Sequence, residues 1–248
     1  MALDAELMPY RRIPQCHECG RCTSDMGGRQ PLGTREEVER LTREVIRRIK
    51  VRMGEELPPT IPVGISVRHV HLTPETLEQL YGPEHTTLEK MRDLVQPGSY
   101  AAQETVTVVG PRMRVIERVR VLGPLRDYNQ VELSRTDGFY LGLELPVRNS
   151  GDLEGAPSVT LVGPVGSVML EEGAIRATRH IHISPEDAER FGVQGVEMVR
   201  VVVPGPKGLI FNNVYIKAAE NLVPEIHLDT DDANAADLSC GDLLAIEK

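Results

Sequence analysis

The eight residues RHVHLTPE at positions 68–75 recur as RHIHISPE at positions 179–186. A repeat of this kind indicates a duplicated structural unit. In each copy an alternating run carries two histidines. A Thr or Ser, a Pro and a Glu then supply the N-cap, the first position and the first turn of a helix. The repeat therefore predicts two related domains, each with a histidine-bearing strand that leads into a short helix.

The sequence around the two copies is rich in strand patterns. Short alternating or β-branched runs follow one another from residue 61 onward, among them ETVTVVG, RVIERVRVLG, MVRVVV and LIFNNVYI. Short helices are predicted at TPETLEQLYG, TDGFYLG and SPEDAERFG, each opened by a Thr or Ser that can cap its first turn. The fold class is therefore mainly β.

The organisation of the chain follows from composition and periodicity. Residues 1–33 are rich in Pro, Gly and Cys and are interpreted as a tail. Residues 34–60 are predicted to form an amphipathic helix and a linker, in which two adjacent prolines prevent the helix from continuing. A first domain then covers residues 61–150 and a second covers residues 151–248. We allow for an exchange of strands between these two domains.

Charge and hydropathy exclude several classes of function. The formal net charge of −9 argues against nucleic acid as a partner. No apolar run is long enough to span a bilayer, and the N-terminus lacks the apolar stretch of a secretory signal, so we expect a cytoplasmic protein without a membrane partner.

Three of the four cysteines, Cys16, Cys19 and Cys22, lie close together in the tail. Metal or redox chemistry suits such a cluster in a reducing compartment better than disulfides do. The spacing opens like a ferredoxin motif, but Met26 stands where the fourth cysteine is expected. His17 or Cys240 could complete a zinc site, and unligated thiols are the alternative.

The repeated histidines are the strongest candidates for chemistry. Residues i and i+2 of a strand share a face, so His69 and His71 converge, as do His180 and His182. Paired imidazoles suit zinc or a similar metal, and the segment EIHLD adds His227. The alternative to a metal site is that these are ordinary half-buried, hydrogen-bonded strand histidines. Two matched copies of the pattern favour the metal site over that alternative.

Arg126 and Glu132 lie in GPLRDYNQVELS between the two copies. Alternation places Glu132 on the face opposite to Val131 and Leu133. Spacing alone favours solvated surface groups for both charges. The chain contains neither a phosphate-binding loop nor a nucleophile elbow, so a nucleotide site and an acyl-enzyme have little support.

Five separated segments resemble the phosphate propanoyltransferase family of phosphotransacylases, in the family's order. They are PVGISVRHVHLTPETLEQLYG, LVQPGSYAAQETVTVVGP, VRVLGPLRDYNQVELSRTD, PVRNSGDLEGAPSVTLVGPVGSVMLEEGAIRATRHIHISPEDAERFGV and EIHLDTDDANAA. The resemblance covers about residue 35 to the C-terminus. It implies two tandem related β-barrel domains capped by short α-helices, two zinc ions at their junction, and exchange of acyl-CoA and phosphate for acyl phosphate and coenzyme A.

The resemblance also assigns roles to particular residues. His69 and His71 would hold one zinc, and His180, His182, His227 and Glu132 the other, with catalytic Arg126 beside them. The coenzyme A site would include Ser66, Arg92, Arg120 and Asn234, with Arg92 standing where Lys is more usual. The chain departs from the family pattern at Asp127, Tyr128 and Asn129 and in its tail, which leaves acyl-chain specificity and localisation open.

Family members often enter bacterial microcompartments, where they serve propanediol degradation. The resemblance therefore raises microcompartment shell or cargo partners and a homo-oligomer as further expectations. Two rival functions stay open at this point. A zinc-dependent thioester hydrolase would use water in place of phosphate, and a non-catalytic scaffold would hold closed structural metal sites.

Overall fold

A computed structural model of the chain describes residues 59–247 together with residues 38, 41, 42, 45, 46 and 49. The chain divides into two compact units, residues 1–57 and residues 58–248. In the first unit the six described residues are helical, and the Thr42 hydroxyl donates to the Val38 carbonyl at 2.7 Å. This agrees with the predicted amphipathic helix at those positions. The cysteines of the tail lie outside the described residues.

The second unit consists mostly of short strands. The described strands are β1 Thr60–Ser66, β2 His69–His71, β3 Lys90–Asp93, β4 Tyr100–Val109, β5 Val115–Gly123, β6 Gln130–Glu132, β7 Val147–Arg148, β8 Val159–Val162, β9 Ser167–Leu170, β10 Ala174–Ala177, β11 His180–Ile183, β12 Met198–Val203, β13 Leu209–Ala218, β14 Glu225–Asp229 and β15 Leu243–Glu247. The described helices of this unit are α1 Pro74–Tyr81, α2 Arg135–Leu141, α3 Pro185–Arg190 and α4 Thr230–Ala236.

These strands form two sheets. Six strands close a barrel in the order β1-β14-β11-β13-β12-β15. The other nine form an open, curled sheet in the order β7-β10-β6-β2-β5-β4-β8-β9, with β3 paired to β4. Each sheet has its own cluster of buried aliphatic side chains. The predicted mainly-β class with short capping helices is confirmed, and the first of the two barrels is a half-barrel.

The two copies of the repeat have the same surroundings in their sheets. Strand β2 pairs parallel with β5 and antiparallel with β6. Strand β11 pairs in the same way, parallel with β13 and antiparallel with β14. The duplication seen in the sequence is therefore a duplication of strand topology.

The two copies exchange one strand. β1 precedes the first histidine strand in the chain but pairs parallel with β14 of the barrel. β10 precedes the second histidine strand but pairs parallel with β6 of the open sheet. We call the strand that precedes each histidine strand its lead strand, so each sheet contains the lead strand of the other copy. The domain boundary at residue 150 stays a prediction.

The helices begin where their capping residues stand. The Thr73 hydroxyl accepts from the backbone N–H of Thr76, and the Ser184 hydroxyl accepts from that of Asp187. The predicted helices at TPETLEQLYG and SPEDAERFG are therefore confirmed. The helix at TDGFYLG is capped two residues earlier, by Ser134. Within the described residues, no helix has the length and apolar character that a membrane span requires.

Candidate active site

The histidines of the repeat lie on the outer faces of the two sheets. In the open sheet, Val70 and Leu72 point into the core while His69 and His71 point away from it. In the barrel, Ile181 and Ile183 fill the interior, and His180 and His182 lie on the opposite side. The alternation predicted from the sequence is confirmed in both copies.

Two sets of potential metal ligands result. His69 and His71 have ring centroids 5.0 Å apart and are joined by Glu132. The second set consists of His180, His182 and His227, with ring centroids 4.5–5.0 Å apart. Within each set the potential ligand atoms lie within 4.8 Å of one another.

The register explains why Glu132 joins the first set. Glu132 lies opposite His69 on β6, and its Oε2 is 3.5 Å from His69 Nε2. His227 occupies the equivalent place opposite His180 on β14. This differs from the division that the resemblance implies, in which Glu132 belongs with the three histidines. Glu132 nevertheless lines one cleft with His180 and His227, so it also lies near the second set.

Hydrogen bonds to ring nitrogens prepare several histidines for a metal. His69 Nδ1 is 2.9 Å from the Val67 carbonyl oxygen, and His180 Nδ1 is 2.7 Å from that of Thr178. Because a carbonyl only accepts, Nδ1 donates in both rings, so Nε2 is the nitrogen that a metal would bind. The Nδ1 atom of His182 is buried without a hydrogen-bond partner among the described residues. Imidazole with one carboxylate suits zinc, so the residues fit such an ion.

The protonation of the ligands agrees with this interpretation. Burial lowers the pKa of His71 to about 3, with the charges of His69 and Arg126 acting in the same direction. Burial also lowers the pKa of His180 to about 3 and that of His182 to about 4, aided by Lys217 and His227. Rings that are neutral at neutral pH are the form that binds metals.

His69 and Glu132 form a coupled pair instead. Burial would lower the pKa of His69, but the Glu132 carboxylate raises it above its usual value. Burial would raise the pKa of Glu132, but His69 and the neighbouring histidines hold it below its usual range. A positive charge is therefore favoured between these two side chains, where a cation can replace the proton.

The arginine of each repeat copy fixes the histidine strand to a helix. Arg68 binds both carboxylate oxygens of Asp137 in α2, at 2.9 and 3.1 Å. Arg179 binds both carboxylate oxygens of Asp232 in α4, at 2.8 and 2.9 Å. Such bidentate pairs hold a fixed geometry. Both copies of the repeat therefore contain the arginine–aspartate pair that holds the histidine strand, as well as the two histidines.

Arg126 reaches the site from the loop between β5 and β6. Its Nη1 donates to the Tyr128 hydroxyl at 2.6 Å and to Ser150 Oγ at 3.0 Å. Ser150 Oγ in turn lies 3.4 Å from Glu132 Oε1 and accepts from Gln130 at 2.8 Å. Nε and Nη2 form no hydrogen bond within the described part of the chain. A forked pair of donors is thus left for a ligand.

The four predicted coenzyme A residues do not all lie together. Ser66 lines the cleft with Glu132 and His180, and its Oγ is 3.5 Å from His69 Nδ1. Arg120 lies beside His69 on β5, but its Nη1 donates to the carbonyls of residues 102 and 103. Arg92 and Asn234 are exposed, on β3 and α4, and no described contact joins them to the histidines.

Sequence reasoning missed two residues beside the ligands. Glu225 is buried, and its Oε2 accepts from Gln96 at 3.2 Å and lies 2.7 Å from His227 Nε2. Lys217 lies opposite His182 on β13. A sequence signal existed for Glu225, because QVELS and EIHLD align as parts of the repeat. A lone lysine in LIFNNVYIKA carries no such signal.

Comparison with known proteins places the chain among the transferases. The family model described as phosphate propanoyltransferase matches residues 62–239. The phosphate propanoyltransferase of Thermotoga maritima is 53% identical over 189 residues, which are 76% of this chain and 89% of that protein.

The enzymes of the same name from Lachnoclostridium phytofermentans and Salmonella typhimurium are 42% and 46% identical. Those alignments cover 85% and 79% of this chain, and 98% and 91% of the two relatives. The chain belongs to the phosphate propanoyltransferase family and is an acyltransferase.

Proposed function

We propose that the enzyme moves a short acyl group between coenzyme A and phosphate, so that acyl-CoA and phosphate give acyl phosphate and coenzyme A. Its family supports this, because the relatives are named for transfer of a propanoyl group to phosphate. Propanoyl is accordingly the acyl group we expect to be accepted.

The observation that carries the proposal is the position of Arg126 beside the ligand set of His69, His71 and Glu132. Its Nη1 is held by Tyr128 and Ser150, which leaves the edge formed by Nε and Nη2 to a ligand. A planar guanidinium can clamp two phosphate oxygens through such an edge. The positive charge of Arg126 also acts to lower the pKa values of His69 and His71. An anion bound to the free edge of Arg126 would therefore lie next to these two histidines.

The ligand sets would hold two zinc ions, one on His69, His71 and Glu132 and one on His180, His182 and His227. When bound, zinc supplies Lewis acidity, which lowers the pKa of the coenzyme A thiol and polarises oxygen atoms. The hydrogen bonds from His69 to Val67 and from His180 to Thr178 would keep the ligand rings oriented.

The residues of the chain act on the reaction as follows. Arg126 orients phosphate so that one of its oxygens attacks the thioester carbonyl carbon. The carbon–sulfur bond then breaks, and its electron pair leaves with the coenzyme A sulfur. Arg126 also stabilises the charge that develops on the way, since its position is fixed in advance by Tyr128 and Ser150.

Coenzyme A would approach over the outer face of the open sheet. Ser66 lies at the cleft and Arg120 beside His69, which suits contacts to the arm of the cofactor. Arg92 and Asn234 would contact its outer part. Cytoplasmic or microcompartment location, propanediol degradation and a homo-oligomer stay predictions of the resemblance.

The test is coenzyme A release from acetyl-, propanoyl- and butanoyl-CoA, with and without phosphate, with metal analysis on the same sample. We expect phosphate-dependent release and two zinc ions per chain, one for each ligand set. Release without phosphate would instead identify a thioester hydrolase. Zinc-loaded protein that releases no coenzyme A would identify a scaffold.

A further inference from the structure

Lys217 is a cation on the site-facing side of the barrel. β13 runs parallel to β11, with Lys217 opposite His182 and Tyr215 opposite His180. Residues opposite each other in neighbouring strands project from the same face of the sheet. Val214 and Ile216, which alternate with them, pack into the barrel core. The Lys217 side chain therefore extends over the same outer face as the three histidines.

Its charge acts within the site. Burial lowers the pKa of His180 most, and the charge of Lys217 is the next largest cause. For His182, burial and His227 come first and Lys217 is the third cause that lowers the pKa. Burial lowers the pKa of Lys217 itself, while Glu132 raises it and Arg126 lowers it. In the part of the chain that the structure describes, Nζ has neither a salt bridge nor a hydrogen bond. The half-buried ammonium thus lies near the ligand sets without a bonded partner.

The two repeat copies differ at this position. In the first copy the residue beside His71 on β5 is Leu122, whose carbonyl oxygen lies 3.3 Å from His71 Nδ1. In the second copy the residue beside His182 is Lys217. The strand position beside the second histidine of each copy is therefore aliphatic in the open sheet and cationic in the barrel. Arg120, which lies opposite His69 on β5, differs from Lys217 in that its Nη1 is held by two backbone carbonyls.

We propose that Lys217 binds phosphate together with Arg126. This inference rests on the proposed function and adds a second phosphate contact to it. Arg126 approaches from the open sheet and offers a forked edge, whereas Lys217 approaches from the barrel and offers a single point charge. Arg126 acts on His71 and on Lys217, and Lys217 lies opposite His182, so an anion that contacts both cations lies over the ligand sets.

The test compares Lys217→Met with wild-type enzyme and with Lys90→Met. Lys90 is an exposed lysine paired with Asp93, which makes it a matched control. We expect Lys217→Met to raise the KM for phosphate about 10- to 100-fold, the range for loss of a hydrogen bond to a charged group. The KM for acyl-CoA and the zinc content should stay as in wild type.

A second measurement does not depend on turnover. Titration of inorganic phosphate into zinc-loaded protein, followed by calorimetry, should show the same weakening in Lys217→Met, and Lys217→Arg should recover most of the affinity. An unchanged KM and affinity for phosphate would overturn the inference, as would loss of zinc or an effect confined to acyl-CoA. Absence of phosphate-dependent release in wild-type enzyme would instead overturn the proposed function.

Discussion

The assignment of Glu132 to one ligand set can be decided by counting metal ions in three variants. Glu132→Ala and His180→Ala each remove one of three protein ligands from a set, and the double variant combines them. If Glu132 belongs with His69 and His71, the double variant damages both sets and should retain almost no zinc. If Glu132 belongs with the three histidines, both changes fall on one set and about one zinc remains.

The size of the effect follows from the ligand count. Structural zinc binding is worth about 10–16 kcal/mol, so one of four coordination positions accounts for roughly 3 kcal/mol. At about 1.4 kcal/mol per factor of ten, loss of one ligand weakens the affinity roughly a hundredfold. That is enough to empty a damaged set in the presence of a chelator of intermediate affinity.

The assay is zinc content per chain after dialysis against such a chelator, with circular dichroism as a check on folding. Glu117→Ala is the matched control, because Glu117 is an exposed carboxylate on β5 away from the histidines. We expect two, one, one and zero zinc ions for the control, the two single variants and the double variant. One retained zinc in a folded double variant would refute the grouping derived from the register.

Three further outcomes are expected. Arg126→Lys should reduce turnover about a hundredfold or more at normal zinc content, because an ammonium cannot reproduce the guanidinium fork, and near-native steady-state kinetics would contradict this. A chain that starts near Gly33 should keep its zinc and most of its turnover, since the assigned ligands lie in residues 69–227; a folded, zinc-loaded but inactive truncation would show that the tail is needed. The metal-free protein should melt at lower temperature as the pH falls from about 6.5 toward about 4. His71, His180 and His182 have lowered pKa values in the folded state, so the unfolded chain binds more protons in that window, and an equal or higher melting temperature at the lower pH would contradict it.

Much of the site could be predicted from local patterns. The faces of His69 and His71, and of His180 and His182, follow from strand alternation alone. The caps at Thr73 and Ser184 follow from their residue types and positions. These predictions succeed because each depends on neighbours within a few residues.

Predictions that depend on distant pairing were harder. Nothing in the composition of β1 or β10 indicates that each pairs with the other copy, because hydrogen-bonded register involves the backbone of every residue type alike. The set that contains Glu132 follows only from this register. Lys217 was missed because a lone lysine on a strand is usually solvated. Helix α4 was missed because alanines are the only apolar residues in TDDANAA, which gives a weak pattern.

The exchange of β1 and β10 bears on how the chain could have arisen. A protein with only one copy would have both a lead strand and a β6-like strand, and the edge of that β6-like strand would be open to the lead strand of a second molecule. Two such proteins would complete each other by donating the same strand in both directions, as in a symmetric dimer. The present chain has the arrangement expected from fusion of the two halves of such a dimer. Fusion would leave the halves free to diverge, as seen where Glu132 opposite His69 and His227 opposite His180 occupy equivalent places.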